Sequence, residues 1–411
     1  MTHKSILLLG NYPPPYGGVP RHLEYLAPHL AAAGWNVQVL SGGHTGVACR
    51  DGFTVHKPSR PMRLAAFLAR PAAGRRHDTF PHGALLARSP RRWARYMAQA
   101  AIGRRIIREH RVSVIGAYNL MSTGPVGAML SEEHGIPLVV TNFGEIHAAP
   151  DHLRADATLV RYVTTVARAL LSCSRHCAES YGLLGMTPDV AVIPYGVDVV
   201  RFSPGNSGES VRRRLGVPEP TPVVLYVGRM VRDMGLHTFL DAIPRVARRL
   251  PDAAFVAVGT SGDLLPRAQA VARTQRLFVL PDVPFDQLPA LYAAATVVVV
   301  PTLGDRACSS LAAMEAMATG KPVVATSIGG IPELVRDGDT GILIPPDDPA
   351  ALAEASLRVL SDGGLRERLA AGGRRTVEAE FDQRRTGDAL EALFAGLAGV
   401  DARRRAMGTA P

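Results

Sequence analysis

The chain has 411 residues, of which 47% are hydrophobic and 20% are charged, and its formal net charge is +10. This apolar content excludes a disordered protein, and the length predicts two globular domains of roughly 200 residues each. Four scattered cysteines exclude a disulfide framework, and no apolar run reaches the ~18–20 residues that cross a bilayer, so we expect a cytoplasmic protein in a reducing compartment.

The first predicted elements form a strand, helix, strand unit. Ser5–Gly10 is a short apolar run typical of a strand buried in a parallel sheet, and no secretory signal precedes it. A helix follows, with Pro20 in its first turn and Gly34 placed to end it, and Val37–Leu40 is the next strand. This arrangement predicts a right-handed crossover.

Positive charge is concentrated between Arg60 and Arg111. The stretch includes Arg75-Arg76, Arg91-Arg92, Arg95 and Arg104-Arg105. Such a cluster forms either a solvated helical face or a contact with an anionic surface, such as the inner face of a membrane. No nucleic-acid-binding motif accompanies it, so we expect no nucleic-acid partner.

Apolar runs at Ile136–Thr141 and Val190–Pro194 predict later strands of the same sheet, and the turn-rich segment Phe202–Gly208 predicts a linker. Alternation of strands and helices then resumes. The predicted strands are Val223–Val227, Ala254–Val258, Leu277–Leu280, Thr296–Val300 and Pro322–Ala325. The pattern predicts an α/β protein with two doubly wound parallel sheets.

The most informative stretch leads from a buried strand through a loop to Ser309, Ser310 and a helix that contains Glu315. A helix start offers hydroxyl groups, free N–H groups and a positive dipole end, which together suit an anion such as a diphosphate. Glu315 is spaced to accept hydrogen bonds from sugar hydroxyls. An ordinary amphipathic helix with one exposed glutamate fits the same pattern.

Five motifs in a fixed order connect the chain with a known family. They lie at Pro15–Val19, at Val192–Asp198 with Phe202 and Pro204, at Val227–Arg229, at Glu315–Val324 and at Gly329–Val335. Over nearly its full length the chain resembles the family-4 retaining glycosyltransferases, which have the two-domain GT-B fold. The resemblance implies two Rossmann-like domains facing a cleft: residues 1–200 on the acceptor side, with a helix at about 385–405 packed back on them, and residues 201–384 binding a nucleotide sugar.

The resemblance also implies roles for single residues. Arg229 matches the arginine that binds the donor diphosphate, and Glu315 matches the glutamate that holds the ribose. The implied donor contacts are Gly17, Gly18, Arg229, Arg232, Ser309, Ser310, Leu311 and Glu315. The donor is then a substrate, a GDP- or UDP-sugar, and neither a cofactor nor a metal ion is expected. Asp337-Gly338-Asp339 resembles an acidic metal pair but is predicted to be a turn.

Two positions depart from the family pattern. Ala307 stands where the family carries a glutamate that contacts the transferred sugar, and Met234 stands where it carries a lysine. Arg232 and Asp305 are the nearest partial substitutes. These changes imply either an unusual donor sugar or weakened catalysis.

Polar residues of the first half are the candidates for the acceptor side. Asn142, Glu145 and His147 follow a predicted strand, where ligands bind in parallel sheets. Glu145 and His147 are candidates to assist the acceptor nucleophile, unless they are ordinary loop residues. His22, Asn142 and Ala307 are candidates for the acceptor or sugar pocket.

These observations lead to a ranked set of functions. We expect metal-independent transfer of a sugar, with retention, to a small-molecule acceptor of specialised metabolism such as antibiotic biosynthesis. A lipid-linked or envelope glycan acceptor at the membrane surface is the alternative that suits the Arg60–Arg111 stretch. A non-catalytic sugar-nucleotide-binding protein and a sugar-nucleotide epimerase are the remaining alternatives.

Overall fold

The computed structural model describes residues 4–13, 18–42, 46–50, 52–57, 79–304 and 307–406. The chain forms two compact units, one comprising Met1–Ile193 and Thr386–Pro411 and the other Pro194–Arg385. Each unit is built on one sheet, and the strands pair in parallel apart from one edge pair in the first unit. The predicted fold class is therefore confirmed.

The sheet of the first unit has eight strands within the described residues. They are β1 (Ser5–Leu9), β2 (Asn36–Leu40), β3 (Gly46–Arg50), β4 (Phe53–Lys57), β5 (Val114–Tyr118), β6 (Leu138–Asn142), β7 (Ala169–Ser172) and β8 (Val190–Val192). Their order is β3-β4-β2-β1-β5-β6-β7-β8, and only β3 and β4 pair antiparallel. The central strands β1, β5 and β6 are buried along their whole length, which explains their continuous apolar sequences.

Helices connect these strands. They are α1 (Gly18–Ala32), α2 (His82–Arg88), α3 (Pro90–His110), α4 (Gly124–His134), α5 (Glu145–Ala148), α6 (Pro150–Ala155), α7 (Ala157–Val166) and α8 (Arg175–Glu179), followed by a 3₁₀ turn at Ser180–Leu184. Helix α1 buries Leu23, Leu26 and Leu30, the stripe expected of an amphipathic helix. Gly34 follows its end with φ +83°, as the sequence predicts.

Within the described residues, the sheet of the second unit has six strands, all parallel. They are β9 (Val223–Val227), β10 (Ala254–Gly259), β11 (Leu277–Pro281), β12 (Val297–Val300), β13 (Val323–Thr326) and β14 (Ile342–Ile344). Their order is β11-β10-β9-β12-β13-β14, so β9 and β12 are adjacent at the centre although 69 residues of sequence lie between Val227 and Val297. This order brings the loops after β9, β12 and β13 to the same edge.

The second unit's helices cover both faces of this sheet. They are α9 (Glu209–Leu215), α10 (Leu236–Arg249), α11 (Leu265–Val271), α12 (Leu288–Ala294), α13 (Leu311–Ala318), α14 (Ile331–Leu334), α15 (Pro349–Ser361) and α16 (Gly363–Glu380), with 3₁₀ turns at Arg232–Met234 and Phe285–Gln287. Two separate apolar clusters, one on each face, contain alternate residues of the same strands: Val223 and Leu225 on one face, and Val224 and Tyr226 on the other.

The segment Phe202–Gly208, predicted as a linker, packs within the second unit instead. Phe202 is fully buried in that unit's core, and the backbone of Gly208 lies against Ala294, where a Cβ would come within 2.3 Å of the Ala294 nitrogen. The chain passes from one unit to the other between Ile193 and Pro194. The turn-forming residues of this segment therefore belong to a folded loop of the second unit and do not mark the boundary between the two units.

The last helix, α17 (Gln383–Ala406), returns the chain to the first unit. Leu390 and Phe394 are buried in the apolar cluster that contains Ile6 and Leu8 of β1. Glu391 of the same helix accepts hydrogen bonds from Lys4 and from the Trp35 indole, each at 3.0 Å. None of the helices in the described part of the chain is both long and apolar enough to cross a bilayer.

Candidate active site

Three loops of the second unit contact one another at the carboxyl ends of β9, β12 and β13. The Leu303 N–H donates to the Asp233 carbonyl at 3.0 Å, which joins the first two loops. The Gly330 N–H donates to the Ala307 carbonyl at 2.8 Å, which joins the second and third. The carboxyl edge of a parallel sheet is where ligands bind in such folds, so these loops define the candidate site.

Gly235 lets the first two loops approach closely. Its φ is +73°, and a Cβ there would lie 1.6 Å from the Pro301 carbonyl oxygen. Only glycine fits this position, because both the backbone conformation and the space exclude a side chain. The close approach places the start of α10 directly beside the loop that leads to α13.

The start of α13 has local features that suit an anion. Ser310 is its N-cap, and its hydroxyl accepts a hydrogen bond from the Ala313 N–H at 3.2 Å. The hydroxyl therefore stabilises the helix, whereas the N–H groups of Leu311 and Ala312 have no intrahelical acceptor because of their position. Ser309, Ser310 and Leu311 are half-buried. The arrangement suits a diphosphate held by backbone N–H groups.

Glu315 lies one turn further along α13. It is 8% exposed, and its Oε2 accepts a hydrogen bond from the Tyr292 hydroxyl at 2.8 Å. Tyr292 is fully buried on α12, and its pKa is raised well above the usual value, first by burial and then by the neighbouring Glu315 charge. The phenol is therefore a neutral donor. Sequence reasoning missed Tyr292 because nothing local marks a residue on a different helix.

Arg229 is exposed at the end of the β9 loop. The Tyr226 hydroxyl donates to the Arg229 carbonyl at 2.8 Å, which fixes the backbone at this point. The guanidinium group makes no hydrogen bond or ion pair with any residue that the structure describes. It is therefore available for an anionic ligand at the same edge of the sheet.

Arg232, in contrast, is engaged by a neighbouring carboxylate. Its Nη2 lies 3.4 Å from Oδ2 of Asp347, and the buried His237 donates through Nε2 to Oδ1 of the same residue at 2.8 Å. The His237 hydrogen bond is the main cause of the lowered pKa of Asp347. Met234 packs its side chain against an apolar cluster, so no cation replaces the family's lysine at that position.

Ala307 presents only a methyl group and its backbone to the site. Its N–H donates to the Gly304 carbonyl at 3.1 Å, and its carbonyl holds Gly330. Asp305, the suggested partial substitute for the missing carboxylate, lies outside the described residues.

The predicted turn at Asp337–Asp339 is confirmed. Gly338 has φ +75°, and Asp337 Oδ1 accepts a hydrogen bond from the Leu343 N–H. Within the residues that the structure describes, no group of three or more His, Cys, Asp or Glu side chains is arranged to hold a metal ion.

In the first unit, Asn142 ends β6 and is completely buried. Its Oδ1 accepts from the Gly144 N–H at 3.1 Å, and its Nδ2 donates to the Cys177 carbonyl and to the Ser180 hydroxyl, each at 3.1 Å. These contacts engage both the oxygen and the nitrogen of the amide within the protein. Asn142 therefore holds its loop in this structure and does not face solvent as a pocket residue would.

Glu145 is also occupied within the protein. Its carboxylate accepts hydrogen bonds from the backbone N–H groups of Leu120 and Met121 and from the Asn119 side chain. Burial raises the pKa of this carboxyl group to about 7, although these hydrogen bonds act in the opposite direction. A carboxyl group that titrates near neutral pH suits a general base, but its contacts are those of a group that holds the loop after β5.

The two candidate histidines lie in different surroundings. His22, on α1, has its ring 5.3 Å from that of Tyr118, and burial lowers its pKa to about 4, so it is neutral near pH 7. His147 stacks on His176 with ring centroids 4.1 Å apart. Gly18 begins α1, and Gly17 lies outside the described residues.

Comparisons with known proteins identify the family of the chain. Residues 16–201 match the family described as Glycosyltransferase Family 4, and residues 221–362 match Glycosyl transferases group 1. The chain is 33% identical over 302 residues to a D-inositol 3-phosphate glycosyltransferase of Salinispora arenicola, a match that covers 66% of this chain and 67% of the relative. The D-inositol 3-phosphate glycosyltransferase of Corynebacterium diphtheriae is 32% identical over 314 residues, a match that covers 71% of this chain and 72% of the relative.

Solved structures share the fold at lower sequence identity. Sucrose-phosphate synthase from Thermosynechococcus elongatus superimposes with a TM-score of 0.75 at 22% identity, covering 97% of this chain and all of that one. Anabaena HepE in complex with UDP superimposes with a TM-score of 0.71 at 20% identity, covering 96% of this chain and all of that one. The matched domains, the relatives and the two parallel sheets together show that the chain is a glycosyltransferase and belongs to glycosyltransferase family 4, with the GT-B fold.

Proposed function

We propose that the enzyme transfers a sugar from a nucleoside diphosphate to a small polar acceptor, with retention of anomeric configuration. The observation that carries this proposal is the grouping of the unpaired Arg229, the free N–H groups at the start of α13 and Glu315 on contacting loops of the second unit. Negative charge that develops on the departing diphosphate would meet a fixed cation and fixed dipoles.

The donor is proposed to be a UDP- or GDP-sugar. Structures of Anabaena HepE contain UDP and UDP-glucose, which supports a uridine nucleotide by analogy of fold. Glu315 would accept hydrogen bonds from the ribose hydroxyls. Ala307 supplies no carboxylate. The transferred sugar is therefore proposed either to differ from that of relatives with a glutamate at this position, or to be held by backbone groups of the residues next to Ala307.

The acceptor is proposed to be a small polyol or its phosphate. The names of the relatives, D-inositol 3-phosphate glycosyltransferases, support this class of acceptor. A source in specialised metabolism, expected from the altered donor contacts, has no observation to support it and is not part of the proposal. We also propose that transfer needs no metal ion, so activity should persist in excess EDTA and should not rise when Mg²⁺ is restored.

The test is a turnover panel of UDP- and GDP-sugars with D-inositol 3-phosphate and related polyols as acceptors. Arg229→Ala should lower kcat/KM roughly 100-fold, as removal of one donor to developing charge does, without lowering the melting temperature, since Arg229 makes no bond that stabilises the fold. Arg249→Ala, an exposed arginine at the end of α10, is the matched control. Undiminished nucleotide binding by both Arg229→Ala and Glu315→Ala would overturn the site.

A membrane-bound acceptor is the second candidate, favoured by one surface of the first unit. Leu86 is 45% exposed and Leu183 is 40% exposed. Arg88, on the same helix as Leu86, donates to the Ala155 carbonyl of α6. Arg154 of α6 donates to the Leu183 carbonyl at 2.9 Å, so α6 contacts the segments that carry both leucines. The exposed Arg91 and Arg95 add charge from α3. Residues 58–78 of the Arg-rich stretch lie outside the described part of the chain.

Sedimentation with phosphatidylglycerol vesicles tests this candidate. The double variant Arg91→Glu/Arg95→Glu should abolish binding, whereas Arg245→Glu/Arg249→Glu, an exposed pair with the same spacing on α10, should not. Absence of binding by the parent protein at low salt would remove the membrane candidate and leave the soluble acceptor.

A further inference from the structure

We propose that Tyr292 is a positioning residue that makes the candidate site select for ribose hydroxyls, acting through Glu315. This inference rests on the proposed function, because it deepens the role given there to Glu315. Tyr292 lies outside every motif that carries the family resemblance, and it reaches the site only through tertiary packing.

The contact itself has a fixed direction. The Tyr292 hydroxyl lies 2.8 Å from Glu315 Oε2, and both side chains are removed from solvent. An ionised carboxylate can only accept, so the phenol donates. A carboxylate has about four acceptor positions, so it can accept from Tyr292 and from other donors at the same time. Holding one oxygen in place restricts the side chain before the nucleotide arrives, which lowers the entropy cost of binding.

Aromatic packing holds Tyr292 in turn. Its ring meets that of Phe202 at a centroid distance of 5.8 Å and an interplanar angle of 79°, and Phe202 meets Phe285 at 5.7 Å and 68°. Edge-to-face contacts of this kind are favourable and directional. Phe202 belongs to one of the family motifs, so the motif acts on the site through Tyr292.

The helix that carries Glu315 is tied to the same segment. The Arg374 guanidinium donates to the carbonyls of Val199 at 3.1 Å and Phe202 at 2.9 Å, and also to the carbonyl of Ala318 at the end of α13. The donor and the acceptor of the Tyr292–Glu315 hydrogen bond are therefore both fixed against residues 199–202. This arrangement sets their separation independently of any ligand.

The consequence is a prediction about selectivity. If Tyr292 only filled space, its hydroxyl would matter equally for every nucleotide. If the Tyr292 hydroxyl orients Glu315, its loss lowers the affinity for nucleotides that offer ribose hydroxyls. The affinity for nucleotides that lack these hydroxyls stays the same. The ratio of affinities for UDP and 2′,3′-dideoxy-UDP therefore reports the positioning role, because a structural defect lowers both affinities together.

The experiment is calorimetric titration of the full chain with UDP and 2′,3′-dideoxy-UDP, and with the GDP pair where GDP binds more tightly. Tyr292→Phe should lower the affinity ratio of the hydroxylated to the dideoxy nucleotide by about 3- to 10-fold, the range expected for one hydrogen bond to a charged group acting indirectly. In the Glu315→Ala background, Tyr292→Phe should not change the ratio further, because the two residues act as one unit.

Tyr162→Phe is the matched control, since the Tyr162 hydroxyl also donates to a glutamate, Glu132, at 2.8 Å, but in the first unit. It should leave the ratio at the parent value. A ratio unchanged in Tyr292→Phe would overturn the inference while the proposed function stands. If the parent bound none of these nucleotides, both the proposed function and this inference would fail.

Discussion

The two units present polar loops at the carboxyl ends of their strands, but they use polar groups in opposite ways. In the second unit, Arg229 and the first N–H groups of α13 have no intramolecular partner among the described residues, and Gly235 allows close backbone contact between the loops. In the first unit, the polar atoms of Asn142 and Glu145 form hydrogen bonds with residues of their own and neighbouring loops. The proposed donor site therefore uses backbone N–H groups and an exposed cation, whereas the polar side chains of Asn142 and Glu145 in the first unit maintain loop shape.

The largest expected effect comes from closing the space between the second unit's loops. Gly235→Ala places a Cβ against the Pro301 oxygen in a left-handed conformation, so we expect a loss of more than about 3 kcal/mol in the free energy of unfolding together with loss of activity. Chemical denaturation and turnover measure both effects.

Gly216→Ala is the control for that variant. Gly216 has a similar φ of +63° but no atom within 4 Å of the added Cβ. It should cost only about 1–2 kcal/mol, the strain of the left-handed conformation alone. Equal losses in the two variants would mean that the loop contact at Gly235 has no special importance.

Asn142→Ala tests the role assigned to the first unit's polar groups. It removes the acceptor of the Gly144 N–H and the amide that donates to the Cys177 carbonyl and the Ser180 hydroxyl, so we expect a loss of about 2–3 kcal/mol in the free energy of unfolding. The donor KM should stay at the parent value. A raised acceptor KM with unchanged stability would show instead that Asn142 contacts the acceptor.

An effect similar in size to that of Asn142→Ala is a dependence of stability on pH through Glu145. Its folded pKa is about 7, and the unfolded value is about 4.3. The folded state retains the proton between these values, so the stabilising contribution is present below about pH 4 and is lost as the pH rises through about 7. The free energy of unfolding should fall by about 2–3 kcal/mol between pH 5 and pH 8 on this account.

Glu145→Gln should flatten this pH dependence, because the amide does not titrate but still offers an oxygen to the Leu120 N–H. Denaturation series at several pH values measure the slope. Glu354→Gln, an exposed glutamate on α15, should leave the slope unchanged. An unaltered slope in Glu145→Gln would show that another group is responsible.

Much of the second unit was predictable from local sequence. The strand Val223–Val227 has the predicted bounds, and β10 to β13 differ from prediction by one residue at either end. The strands β9, β10, β12 and β13 are buried almost throughout, so their sequences are continuous apolar runs between turns. The shorter or partly polar strands β3, β4 and β14 carry no such signal, because pairing with neighbours and not composition stabilises them.

The candidate site divides in the same way. Arg229, Ser310 and Glu315 were identified because they lie in short motifs whose spacing is visible in the sequence. Asn142 and Glu145 were assigned to the acceptor side because they follow a strand, yet their hydrogen bonds run to residues 35 and 25 positions away. The position of a residue after a strand predicts that it lies in a loop, but it does not predict the hydrogen-bond partners of its side chain.

By itself the sequence determined the α/β class, the family and the helix start that suits a diphosphate, because these depend on periodicity, capping and short-range spacing. Only the tertiary structure decided that Phe202 belongs to the second unit's core, that Arg232 is paired with Asp347 and that Tyr292 holds Glu315. Burial and hydrogen-bond partners depend on residues distant in the chain, and no local pattern encodes them.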